Sequence, residues 1–146
     1  MKNQELKVAE LKTKQAGLKA TLPRMRILQL LENSQQRHLS AEDVYKALLD
    51  SGEDEGLALA TIYRVLTQFE NAGLVTRLHF EGGTSVFELN QGTHHDHLVC
   101  IKCGKIEEFF DAAIEKRQQA IAHKKNFEIT DHCLHIYGIC VACKKT

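Results

Sequence analysis

ATIYRVLTQFENAGLVTRLHFEGGTSVFEL, residues 60–89, contains the change of period on which the fold turns. As far as Asn71, the apolar residues Ile62, Val65, Leu66 and Phe69 recur at helical spacing and line one face. Asn71-Ala72-Gly73 closes that helix, because Gly accepts the left-handed backbone of a C-cap. Residues 74–80 and 84–89 then read as strands around Glu81-Gly82-Gly83, the permissive backbone of a hairpin turn.

Upstream lie further helices. Ser40 is an N-cap, with Asp43 three residues on as its capping-box partner. The helix from Ala41 carries Val44, Ala47 and Leu48 inward and stops near Gly52, before the acidic loop Glu53-Asp54-Glu55-Gly56. Pro23 opens an earlier helix, where its missing N–H is harmless, and Ile27, Leu28, Leu30 and Leu31 give that helix its apolar face. Residues 5–16 form a polar helix, weakly amphipathic through Leu6, Ala9 and Leu11. Helices followed by a hairpin outline a winged helix-turn-helix, in which the last helix enters the DNA major groove.

Downstream, Asn90-Gln91-Gly92-Thr93 is short and polar and contains Gly, which marks a boundary. The expected organisation is therefore residues 1–89, a hinge at 90–93, and a second domain at 94–146. In that second domain, strands at 95–100, 105–109 and 132–139 surround a helix at 111–124 with Ile114 and Ile121 inward. The class is α+β, an N-terminal winged helix-turn-helix domain with a small C-terminal α/β domain.

Composition narrows the function. Of 146 residues, 19 are Lys or Arg and 19 are Asp or Glu, so net charge neither favours nor excludes nucleic acid. Residues 1–30 nevertheless carry seven basic side chains (Lys2, Lys7, Lys12, Lys14, Lys19, Arg24, Arg26) against Glu5 and Glu10, the footprint of an arm that meets phosphate. No run approaches the roughly 20 apolar residues of a membrane span, and the N-terminus lacks a secretory h-region. All five Cys and six of the eight His follow residue 90. Thiols in such a chain point to a cytoplasmic protein with free or metal-bound sulfur.

Cys100-Ile-Lys-Cys103 and Cys140-Val-Ala-Cys143 are two C-x₂-C knuckles, and together they supply four thiolates to one tetrahedral Zn(II) that pins the ends of the second domain. A redox dithiol and inert thiols are the competing readings, although the βαβ context of a thioredoxin-like pair is absent. Cys133, outside both pairs, reads as a small buried hydrophobe. His94-His95-Asp96-His97 alternates on a strand, so His95 and His97 face one way and His94 and Asp96 the other. Glu88, Glu108, Glu115, His132 and His38 are the partners within reach of the topology. If His38 and Glu88 joined His95, His97 and Glu108, one ion would bridge the two domains and bias their arrangement. A mixed imidazole–carboxylate set suits Fe(II), Mn(II), Co(II) or Zn(II), and the plainer alternative is a surface His run binding metal adventitiously.

Residues 16–24 (AGLKATLPR), 38–43 (HLSAED), 60–66 (ATIYRVL), 81–89 (EGGTSVFEL) and above all 94–105 (HHDHLVCIKCGK) resemble the ferric uptake regulators, and the resemblance covers about residues 10 to 143. It implies a homodimeric, metal-dependent transcriptional repressor of iron-uptake genes. The N-terminal winged helix would bind double-stranded DNA at an A·T-rich inverted repeat, and the C-terminal domain would dimerise, with a tetramer as the alternative assembly. Carried over by motif, structural Zn(II) falls on Cys100, Cys103, Cys140 and Cys143. The Fe(II)-sensing site falls on His38, Glu88, His95, His97 and Glu108, with Mn(II), Co(II) or Zn(II) as substitutes in vitro. A further metal site falls on His94, Asp96, Glu115 and His132. Tyr63 and Arg64 match the recognition-helix motif, and Lys19 matches a basic residue that reaches the minor groove, roles suited to thymine methyls, phosphate and a narrow A·T-rich groove.

Glu at both 88 and 108 resembles the iron-sensing branch, whereas peroxide sensors typically place Asp at one of them. Peroxide-sensing and zinc-sensing members are the alternatives. The chain departs from the family pattern at Gly56-Leu57-Ala58-Leu59-Ala60-Thr61, two residues longer than usual before Tyr63-Arg64. A metalloenzyme with Glu88 or Glu108 as base is the reading from another class. No H-E-x-x-H helix, Ser-His-Asp set or phosphate-cradling Gly loop supports it.

Overall fold

The computed structural model describes residues 2–52, 56–81, 83, 85–90 and 93–145. The loop expected at 53–55, the turn residue Gly82, Thr84, and the hinge residues Gln91 and Gly92 lie outside the described residues. The chain divides into two compact units, Met1–Gln91 and Gly92–Thr146.

The first unit contains α1 (Lys2–Gln15), α2 (Leu22–Asn33), α3 (Ala41–Ser51), α4 (Leu59–Asn71), β1 (Val75–Leu78) and β2 (Val86–Leu89). α2 and α3 start where a side chain supplies a partner for their first amides. Thr21 caps α2 just ahead of Pro23. Ser40 and Asp43 exchange side-chain-to-backbone bonds of 3.0 Å at the start of α3. Gly52, at φ 72, ends α3 in the left-handed conformation. α4 differs, because its N-cap Ala58 offers no side-chain hydrogen bond. Leu59 and Ala60 are both helical, so the residues immediately ahead of Thr61 enter the helix as its first half-turn.

β1 and β2 pair antiparallel from Val75↔Leu89 to Leu78↔Val86. Leu39 adds an antiparallel bridge to Phe87, with N···O distances of 3.1 and 2.8 Å. Ile27 and Leu28 of α2, Val44 and Leu48 of α3, Ile62, Leu66 and Phe69 of α4, and Phe87 of the hairpin are buried together in one core. α1 joins this core through Ala9 and Thr13, whose hydroxyl donates to the Ala9 carbonyl at 2.7 Å. Leu11, expected inward, is 57% exposed, because the contact runs along the i, i+4 row of Ala9 and Thr13.

The second unit contains β3 (Asp96–Cys100), β4 (Ile106–Phe109), α5 (Ala112–Lys124), β5 (His135–Gly138) and α6 (Val141–Lys144). The sheet order is β4-β3-β5, antiparallel between β3 and β4 and parallel between β3 and β5. Asp111 caps α5, accepting from the amides of Ala113 and Ile114 at 2.8 and 3.3 Å. Two expectations fail here. Ile121 is 51% exposed and α5 buries no side chain, so its apolar spacing finds no core within one copy of the chain. Cys133 is exposed rather than buried, since it lies in the open segment ahead of β5. The helix α6 is an addition to the sequence reading, and it begins directly after Cys140.

Candidate metal centres

The two C-x₂-C knuckles meet. One Sγ from each of Cys100, Cys103, Cys140 and Cys143 lies within 4.8 Å of all the others. Cys100 ends β3, Gly104 (φ 78) turns the chain after Cys103, and Cys140 starts α6, which carries Cys143. All five cysteines are free thiols. The Sγ atoms of Cys103 and Cys140 are 3.7 Å apart. Thiolates about 2.3 Å from a tetrahedral Zn(II) lie about 3.8 Å from each other, so this spacing fits that ion.

The thiols are also poised unequally. Backbone N–H groups of Cys140 and Cys103 directed at Cys100 bring its thiol down to about 5, and the Cys140 amide lies 3.4 Å from that sulfur. The backbone N–H of Cys143 lowers Cys140 as well. Hydrogen bonds with Cys140 and Cys103 push Cys143 up to about 12. Four sulfurs this close share their protons, and a divalent cation replaces those protons by neutralising several thiolates at once.

A second cluster lies on one side of β3. His94, Asp96, Glu115 and His132 each bring a ligand atom within 4.8 Å of the others. His94 Nε2 is 2.9 Å from Asp96 Oδ1 and 3.3 Å from Glu115 Oε1, while His132 Nε2 is 2.8 Å from Glu115 Oε2. Asp96 is fully buried, and its Oδ2 has no hydrogen-bond partner among the described residues. A buried carboxylate oxygen without a donor is costly, and a cation held by two imidazoles and two carboxylates removes that cost.

The remaining ligand candidates form two groups, one in each unit. In the second unit, His95 Nε2 is 3.3 Å from Glu108 Oε1, and the His95 and His97 ring centroids are 5.0 Å apart. His97 and Glu108 are opposite each other in the β3–β4 register. In the first unit, His38 Nε2 is 3.0 Å from Glu88 Oε2, with both side chains nearly buried. His38 precedes Leu39 and Glu88 follows Phe87, so the backbone bridge Leu39↔Phe87 holds the pair in register.

Of the residues matched to DNA contact, Lys19 is exposed in the loop before α2 and Arg64 is exposed on α4. Tyr63 is half-buried, its ring edge-on to Phe87 at 6.4 Å between centroids.

The family model described as the ferric uptake regulator family matches residues 15–137. The chain belongs to the ferric uptake regulator family. It is 68% identical over 131 residues to the ferric uptake regulation protein of Legionella pneumophila, covering 90% of this chain and 95% of that protein. The solved ferric uptake regulator of Vibrio cholerae superposes with a TM-score of 0.82 at 55% identity, covering 90% of this chain and 98% of that one. The Pseudomonas aeruginosa ferric uptake regulator, solved with manganese, gives 0.77 at 54% identity over 92% of this chain and 98% of that one. Members of this family are transcription regulators, which removes the metalloenzyme reading.

Sequence reading of this regulator missed His135. Its Cα is the register partner of His97 and the two rings are 5.5 Å apart. Burial lowers the His135 pKa and the His97 ring beside it lowers it further. The signal was present in the sequence, but only the parallel pairing of β3 with β5 shows that residues 97 and 135 are neighbours.

Proposed function

We propose that the chain is a homodimeric, Fe(II)-responsive repressor, and that one regulatory ion draws its ligands from both units: His38 and Glu88 from the winged helix, His95, His97 and Glu108 from the C-terminal unit. The observation that carries this reading is the buried His38–Glu88 pair at 3.0 Å. An imidazole–carboxylate pair is half of a first-row metal site, and His95 with Glu108 supplies the same chemistry from the other unit. An ion that needs both halves favours one arrangement of the units over others. Zn(II) at the four cysteines is then structural, and a further ion at His94, Asp96, Glu115 and His132 holds α5 to the sheet.

The C-terminal unit also supports self-association. Leu98 and Ile136 are register partners on β3 and β5, and both are more than two-fifths exposed. Ile139 and Val141 extend the apolar surface. An apolar sheet face ending in the edge strand β5 suits a second copy of the chain. A two-fold dimer carrying two winged helices reads an inverted repeat, with Arg64 and Tyr63 in the major groove and Lys19 in an A·T-rich minor groove.

The test is anaerobic fluorescence anisotropy with a labelled A·T-rich inverted repeat and protein holding only its structural zinc. Titration with Fe(II) or Mn(II) raises affinity, and a chelator reverses the gain. His97→Ala abolishes the metal response and retains the zinc. A His97→Ala variant that keeps the wild-type metal response, or metal-independent binding by wild type, refutes the switch.

A further inference from the structure

The basic loop and the recognition helix are joined by a single side chain. Arg24, half-buried in the first turn of α2, donates from Nη1 to the carbonyl of Lys19 at 2.8 Å. Its Nε and Nη2 donate to Gln68 Oε1 of α4 at 3.1 and 2.9 Å. A planar guanidinium makes these bonds in fixed directions, which a flexible ammonium does not. The loop is held from its other end as well. The Leu18 amide donates to the Thr13 carbonyl of α1 at 3.1 Å, and the Thr21 amide donates to the Lys19 carbonyl at 3.0 Å. Lys19 is exposed between these fixed points, and Arg64 is exposed four residues before Gln68 on α4.

We infer that Arg24 is a positioning residue for DNA recognition: it fixes the Lys19 loop to the recognition helix, so that the minor-groove and major-groove readers approach the duplex as one preformed surface. The inference rests on the DNA-binding reading above for its functional consequence, and on the three hydrogen bonds for its structural content. Preforming the loop removes an ordering cost from binding. With three donors engaged inside the protein, Arg24 acts through geometry and not as a phosphate contact.

Arg24→Lys separates these roles, since it keeps the charge and loses the fork. Measured with the metal-loaded dimer, it weakens operator affinity by about tenfold, the scale of losing hydrogen bonds to a charged group. It leaves the weaker, salt-sensitive affinity for unrelated duplex unchanged. Gln68→Leu gives a similar loss, and the double variant is no worse than either single one, because both break the same link. Full operator affinity in Arg24→Lys, or additive losses in the double variant, overturns the inference.

Amide hydrogen exchange of the DNA-free protein gives an independent readout. Exchange at Lys19 to Thr21 accelerates in Arg24→Lys while the buried face of α4 keeps its protection. Unchanged exchange in that loop overturns the clamp even if affinity falls. A wild-type protein that binds no operator removes the functional reading, and the exchange result then decides the clamp alone.

Discussion

The two units of this regulator are stabilised by different means. In Met1–Gln91, side chains from α2, α3, α4 and the hairpin are fully buried in one apolar cluster. In Gly92–Thr146, the buried apolar side chains among the described residues are Val99 and Cys100, beside the buried polar Asp96 and His97. The first unit follows the ordinary economy of hydrophobic burial. The second replaces much of that burial with sulfur and imidazole clusters and leaves apolar area uncovered. On the proposed reading, the winged-helix unit would keep its fold without metal while the C-terminal unit would depend on it.

The sharpest way to break the comparison is to remove the sulfur centre. Structural Zn(II) in small domains contributes about 10–16 kcal/mol of apparent folding free energy. Cys100→Ser, or extended chelation, should therefore abolish exchange protection across β3 and β5 while α2 and α4 remain protected. Loss of protection in both units together would show that they fold as one. The reciprocal experiment is Phe69→Ala. Phe69 is fully buried in α4, and such truncations cost about 3–5 kcal/mol. Thermal unfolding followed by exchange should show the loss in the first unit alone, with the zinc content unchanged. A smaller effect tests the uncovered apolar face. Ile136→Glu should weaken the dimer by about tenfold to a hundredfold per copy, the equivalent of about 1.5–3 kcal/mol for an Ile side chain. Sedimentation equilibrium measures the shift, and a dimer of unchanged affinity would place the interface elsewhere.

The same contrast explains what the sequence disclosed. In the first unit the boundaries of α2 and α3 are written locally, by Thr21 before Pro23, by the Ser40–Asp43 box and by Gly52, and the apolar faces of α3 and α4 meet a real core. In the second unit, periodicity misleads. Ile121 sits at helical spacing from Ile114 but is half exposed, because α5 finds no core among the described residues to pack into. Cys133 fails for a related reason: a small thiol is a good core residue only where there is a core to enter. The Cys knuckles were legible because a C-x₂-C pair is a local geometric unit. The alternation of His94 to His97 was legible because a strand has period two. His135 and Arg24 were not legible as partners of His97 and of Gln68, since parallel strand register and the packing of α2 beside α4 are nonlocal facts.

The segment that runs into β3 distributes its candidate ligands by parity. His94 bonds with Asp96, while the ring of His95 approaches that of His97. A single residue inserted between His95 and Asp96 would leave every donor in the chain and still exchange the two leading histidines between faces. Both clusters would then hold a mismatched set. A point substitution removes one candidate ligand, whereas a change of length here scrambles two addresses at once. Variation in this segment is thus freer in spelling than in counting.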